Sequence, residues 1–353
     1  MRGVHAVRFG VAACLLSLAV GVFAFEAASN YHLIKKIPLG AVAGGREYFD
    51  YVTFDPSSRR VYISRGSAIE VLNADTGAIL GKITGLKRDH GVAVVPDLGR
   101  GFISDGEAAE VVIFDLKTLG ILGRVKAAPD ADGILYDPAS KHVFVFEGDS
   151  NSCTVIDPAK GTAIRTVELG GAPEQAVADE KGMIYNNLED KDQVIAIDSR
   201  TLAIKARWPV APAGRPVAIA MDREHRRLFI SGRNPKMMVV MNADNGKIIG
   251  RGFPIGDHVD TNIFDPGTRL AASSTGEGTI DIIHEDSPDK FSFAQSVKTE
   301  YGAKTMALDP KTHNLYVDTA DFVRSNAVSG KKKGPQLVAK PGTLHLLVYG
   351  LSR

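Results

Sequence analysis

FDYVTFDPSSRRVYIS, residues 49–64, is an apolar run, a turn at Asp55-Pro56 and a second apolar run. That order marks two adjacent antiparallel strands. Six more copies follow, with turn positions at Val95, Asp137, Asp179, Asp222, Asp265 and Asp309, so that successive turns lie 40, 42, 42, 43, 43 and 44 residues apart. The second runs read RVYIS, RGFIS, HVFVF, GMIYN, RLFIS, RLAAS and NLYVD. A second half repeats too, as IEVLNADTGAILGKI, VVIFDLKTLGILGRV, TVIDPAKGTAIRTV, VIAIDSRTLAIKARW and VVMNADNGKIIGRGF. Each of these is strand, polar turn, strand. Four strands every 40–44 residues is the period of a propeller blade. The chain is therefore expected to be all-β, a seven-bladed β-propeller of four-stranded antiparallel blades.

Outward from the repeat, YHLIKKIPL (31–39) reads like the last strand of a blade, and TLHLLVY (343–349) like a third strand with no fourth after it. Together they complete one blade, so the N-terminal strand closes the ring and leaves no open edge between first and last blades. Between them, residues 319–342 form a polar, glycine- and lysine-rich insertion that reads as a mobile loop, with Lys331-Lys332-Lys333 and Lys340 as a local basic patch. The uninterrupted repeat overrides the two-domain expectation that 353 residues would raise. Residues 25–353 are read as one domain. The 36 glycines and 17 prolines suit short strands and tight turns.

Residues 1–24 stand apart. Arg2 and Arg8 precede an apolar run from Phe9 to Phe23, and Val22-Phe23-Ala24 offers small residues where a signal peptidase reads. A run of about 15 apolar residues is shorter than the roughly 20 a spanning helix needs. A cleaved signal peptide is expected, leaving no transmembrane anchor and a periplasmic or secreted protein. Removing two arginines and no acid takes the formal charge from +1 to −1, which offers no general attraction for nucleic acid. Cys153 is then the only cysteine, so no intramolecular disulfide is available. A monomer is expected.

In a propeller the first strand of each blade lines the central channel, and the loop entering it carries ligands in many members of the fold. Five residues before each turn position stand Asp50, His90, Asp132, Glu174, Val217, Asp260 and Lys304. Six of the seven are ionisable, and equivalent strand positions should bring them together at the channel mouth. Tyr51, Gln175 and His258 are their neighbours, as are Glu47, Tyr48, Asp89 and Asp257. Asp50, His90, Asp132 and Glu174 come from consecutive blades. Carboxylates clustered in a partly desolvated channel either stay protonated in part or are compensated by a cation. A hard divalent ion, Ca²⁺, Mg²⁺ or Mn²⁺, suits that ligand set; the plainer alternative is a water-filled channel with Lys304 and His90 as counter-charges. His90 is the candidate proton carrier.

Acidic residues of the outer loops on the same face, Asp105, Glu107, Glu147, Asp149, Glu189, Asp190, Asp318 and Asp321, read as solvated charges, with Lys191 and Arg233 among them. His284-Glu285-Asp286 reads as a turn on the opposite face. The sequence has no GxSxG elbow, HExxH, phosphate loop or CxxCH, which argues against serine hydrolases, zincins, nucleotide enzymes and c-type haem proteins.

The units YVTFDPSSRRVYIS and IEVLNADTGAILGKI resemble the YVTN-type repeats of exported bacterial propellers, the YncE family, over about residues 31–350. NLEDK (187–191), GDHVD (256–260), HEDSPDKF (284–291) and GAKTMALDPKTHNLYV (302–317) are similar to segments of one periplasmic branch. The resemblance implies a seven-bladed fold and export. It implies no single reaction, since related propellers include lactonases, a streptogramin lyase and non-catalytic binding or surface-layer modules. Members of that branch carry cysteines where Pro212-Ala213 and Ser231-Gly232 stand here, so any role of those thiols is absent. Two functions follow as expectations. One is an exported binding or scaffold module for a small molecule, a cell-envelope component or a protein at the channel mouth. The other is a divalent-metal-dependent lactonase-like hydrolase or lyase.

Overall fold

The repeated aspartate makes its turn by catching the backbone that follows it. Asp55 Oδ1 accepts the Ser57 N–H at 2.9 Å, Asp222 Oδ1 that of Glu224 at 3.0 Å, and Asp309 Oδ1 that of Lys311 at 2.9 Å. Four residues after the turn position the backbone goes left-handed, with φ of 56° at Arg59, 60° at Lys141, 58° at Arg226, 56° at Arg269 and 61° at His313. The chain thus reverses and feeds the second strand.

The computed structural model describes residues 1, 3, 30–41, 48–250, 252–325 and 336–352. Apart from residues 1 and 3, the expected signal peptide lies outside them, as do Glu47 and Lys331-Lys332-Lys333. First strands run Val52–Asp55, Asp89–Val95, Ala131–Asp137, Pro173–Ala178, Pro216–Asp222, Val259–Asp265 and Met306–Leu308. Each opens one four-stranded antiparallel sheet, and together they make the seven-bladed ring. In the seventh sheet, Tyr31–Pro38 pairs with His345–Leu351, which pairs with Leu315–Thr319. The N-terminal strand therefore closes the ring, pinned by Tyr31, whose hydroxyl donates to the His313 carbonyl and whose N–H donates to Gln295 Oε1, both at 2.8 Å.

The apolar side chains gather between blades. Tyr62, Ile69, Val71 and Ile83 of blade one pack on Val92, Ile103, Val112 and Phe114 of blade two. Six further clusters fill the remaining junctions, the last joining Leu346 and Val348 of blade seven to Val61, Ile63 and Leu72 of blade one. No helix among the described residues is long and apolar enough to cross a membrane.

Two local expectations are revised. The insertion carries a two-stranded hairpin, Phe322–Ser325 paired with Gln336–Ala339. Its base is fastened by Phe322, whose ring meets Tyr301 at 4.9 Å and Phe49 at 6.3 Å between centroids. His284, Glu285 and Asp286 are strand, not turn. They lie in Thr279–Ser287, whose partner Lys290–Lys298 extends the hairpin so that the reversal falls at Pro288-Asp289.

Candidate functional site at the channel mouth

Polar side chains hold the ring residues by their carbonyls, three of them reaching from the neighbouring blade and Asn186 from the same blade as Glu174. Thr305 Oγ1 donates to the Asp50 carbonyl, Ser104 Oγ to that of Asp132, Asn186 Nδ2 to that of Glu174 at 2.7 Å, and Ser274 Oγ to that of Lys304. Three of these donors end or nearly end a second strand. The recurring serine of RGFIS and RLAAS was the signal for them, and it is a position that a search for charged residues passes over.

So held, the ionisable residues form a chain of alternating sign. Glu189 Oε1 receives Arg233 Nη1 at 3.3 Å, and Arg233 Nη2 reaches Asp260 Oδ1 at 2.8 Å. Lys304 Nζ bonds to Asp260 Oδ2 and lies 3.6 Å from Asp50 Oδ1. His90 Nδ1 is 2.7 Å from Asp50 Oδ2 and 3.4 Å from Asp132 Oδ1. Tyr48 Oη donates to Asp50 Oδ2 at 3.0 Å and sits 3.1 Å from His90 Nδ1. Val217, buried and apolar, interrupts the ring at blade five. Glu174 makes no ion pair among the described residues.

The acids therefore divide. Burial alone would raise Asp50, but the Lys304 ammonium and hydrogen bonds with His90 and Tyr48 outweigh it and hold the carboxyl at about 2. Burial pushes Asp132 up to about 7 against the pull of His90, with Asp50, Asp130 and Asp260 adding repulsion. Burial and Asp260 likewise push Glu174 well above the carboxylate range, and Arg233 only partly opposes them. Burial would lower His90, yet the hydrogen bond to Asp50 and the charge of Asp132 raise it, favouring the imidazolium. Lys304 is also raised, because Asp260 and Asp50 overcome the cost of burying it.

Ligand atoms of Asp50, His90 and Asp132 lie within 4.8 Å of one another, so three of the four expected metal ligands come together. An ion taking His90 Nδ1 would have to displace its bonds to Asp50 and Tyr48, and Lys304 already supplies positive charge to Asp50. The other ring nitrogen, Nε2, is buried without a partner, and a Cβ placed on Gly106 would lie 2.9 Å from it. His90 is thus enclosed on both sides.

The remaining expected ligands are placed differently. Gln175 spends its amide as a strut, its Oε1 accepting the N–H groups of Ile219 at 3.0 Å and Asn262 at 3.1 Å while Nε2 donates to the Asn262 carbonyl at 3.2 Å. Tyr51 and Gln175 line a cavity of about 110 Å³ with Thr53, Val92, Ile134 and Phe146. His258 points away from the chain of charges; its side chain is 70% exposed, and Asp257 is its ion-pair neighbour at 4.0 Å. Among the outer-loop acids, Asp105, Glu147 and Asp318 are buried rather than solvated. Asp105 accepts the Lys87 and Arg88 N–H groups, Glu147 accepts that of Thr154, and Asp318 Oδ1 lies 2.8 Å from the Thr305 hydroxyl, whose own proton goes to the Asp50 carbonyl. These carboxyls fasten loops. Arg233, grouped with the loop charges, belongs to the mouth.

No family model and no curated protein matches the chain. Among solved structures it is similar to a chain of Kuenenia stuttgartiensis hydrazine synthase, at 14% identity and a TM-score of 0.68, over 79% of this chain and 96% of that one. A chain of the mitotic checkpoint complex is 13% identical at a TM-score of 0.71, over 95% and 98%. The RRP9 WD40 repeats are 9% identical at a TM-score of 0.71, over 91% and 100%. These likenesses show the fold, a seven-bladed propeller. They select no function, because one such fold hosts many.

Proposed function

We propose that this chain is an exported, YncE-like propeller that binds a small, positively charged ligand at its channel mouth, such as an amine, a guanidinium or a divalent ion. The observation that carries the reading is the division of the ring acids. Asp50 and Asp260 have built-in cations in Lys304 and Arg233, whereas Asp132 has only the shared His90 and Glu174 has none. In the free protein that deficit is met by protons. An incoming cation would displace them, so binding would release protons and strengthen with pH. Export rests on the charged and apolar pattern of residues 1–24, and N-terminal sequencing of protein recovered from the cell envelope should find a start after Ala24.

A metal-dependent hydrolase or lyase is favoured by one feature, an Asp132 carboxyl near 7, which suits proton transfer at neutral pH. The enclosed His90 weighs against it, since neither ring nitrogen is free to meet a substrate. Binding is therefore the better reading.

Thermal melts with arginine, putrescine, Ca²⁺ and Mg²⁺ at pH 6 and pH 8 test it. At least one should raise the melting temperature, with affinity about tenfold tighter at pH 8 if one proton is displaced. Asp132→Asn combined with Glu174→Gln should abolish the effect. No shift with any of the four, or a shift that survives in the double variant, would overturn the reading.

A further inference from the structure

The turn aspartates do more than bend the chain. On the face opposite the mouth they also clamp neighbouring blades through an arginine or histidine from the left-handed position four residues into the next turn. Arg59 of blade one reaches Asp309 of blade seven at 2.6 Å, and Arg226 of blade five reaches Asp179 of blade four at 3.1 Å. His313 of blade seven reaches Asp265 of blade six at 2.7 Å. Between blades five and six the corresponding residue is Arg269, which is exposed and makes no ion pair among the described residues. Asp222 meets a carboxyl instead.

That carboxyl is Glu285, from the third strand of blade six. It is 1% exposed and neither of its oxygens has a hydrogen-bond partner. His225, three residues beyond Asp222, places Nδ1 2.7 Å from Asp222 Oδ2 and 3.3 Å from Glu285 Oε1. Ligand atoms of the three residues lie within 4.8 Å of one another. The nearest guanidinium is committed elsewhere, for Arg227 bonds to Asp289, to the Pro288 carbonyl and to the carbonyls of His225 and Arg226. Two acids thus face each other with only the His225 imidazole between them, where two other junctions pair an acid with a guanidinium.

We propose that Asp222, His225 and Glu285 bind a divalent transition-metal ion, Zn²⁺ in preference to Mn²⁺, which takes the place of the missing inter-blade cation. Two carboxylates and an imidazole form a mixed oxygen and nitrogen donor set that suits Zn²⁺, and the order of intrinsic affinities places Mn²⁺ well below it. The His225 side chain is 30% exposed, which leaves a solvent side for the ion to arrive and for water to complete its coordination. The unpartnered Glu285 oxygens would become ligands, removing the cost of burying them unmet.

The test is calorimetric titration of the chelator-treated full chain with Zn²⁺ and Mn²⁺, paired with thermal melts. One equivalent of Zn²⁺ should bind and raise the melting temperature, and Mn²⁺ should bind more weakly. Glu285→Gln and, separately, the more exposed His225→Asn should each weaken Zn²⁺ binding by roughly 100-fold. Asp132→Asn with Glu174→Gln should leave it unchanged, which keeps this site distinct from the mouth. The proposal is overturned if the wild-type chain takes up no Zn²⁺, or if binding survives both single variants and is lost only in the mouth variant.

Discussion

Asp50 and Asp132 hold equivalent places in blades one and three of one ring, yet one carboxyl is held near 2 and the other near 7. The difference is which cation each can reach, and it fixes opposite effects of pH. A carboxyl lowered on folding contributes stability above its unfolded value that disappears as pH falls through its folded one; a raised carboxyl contributes stability at low pH that disappears as pH rises through its folded value. Asp318 belongs to the second kind, since burial pushes it to about 8 despite the Thr305 hydroxyl. Asp318→Asn keeps a hydrogen-bonding partner for the Thr305 oxygen and removes the charge. The contribution of Asp318 to stability should therefore be lost between about pH 4 and pH 8, and the variant should be more stable than wild type at pH 8 by roughly 1–3 kcal/mol with little gain at pH 4. Denaturant melts at the two pH values check this, and equal gains at both would refute a titrating Asp318.

At the scale of elements, the sequence made most of the strands legible because the turn chemistry repeats: an aspartate that accepts backbone N–H groups, followed by a left-handed residue, recurs at a nearly fixed interval. The complementary ends, YHLIKKIPL and TLHLLVY, made ring closure legible for the same reason. Hairpin length was less legible. HEDSPDKF carries polar residues in both its strand and its turn, and only cross-strand pairing, Glu285 with Phe291, tells them apart. The N-terminal strand buries Tyr31 and Ile37, with Leu39 just beyond it. Deleting residues 31–39 should cost on the order of 5 kcal/mol from lost apolar burial. Deleting residues 323–341, which spares Phe322, should cost less than about 1 kcal/mol, as expected for a surface insertion. Urea melts of the two truncations should differ accordingly, and matching midpoints would contradict closure by that strand.

Taken as one molecule, the protein is seven inter-blade cores around an axial opening, and the ring is what brings Lys304 to Asp50 across the whole length of the chain. Convergence at the mouth followed from equivalent backbone positions and could be read from spacing alone. The partition of charge could not. Arg233 ends the second strand of blade five, and whether it reaches Asp260 depends on how two blades pack. The meeting of Asp222 with Glu285 depends on packing in the same way, as does the burial of Asp105 and Glu147. The central claim is that closure of the ring leaves Glu174 without a cation and Asp132 with only the shared His90, so that both carboxyls hold protons at neutral pH, Asp132 in part. Its most direct test is a carbon-13 NMR titration of the carboxyl groups in the ligand-free full chain, assigned through Asp132→Asn and Glu174→Gln. Asp132 should titrate near 7, with Glu174 well above the ordinary glutamate value and Asp50 near 2; Asp132 and Glu174 both titrating near 4 would contradict the account.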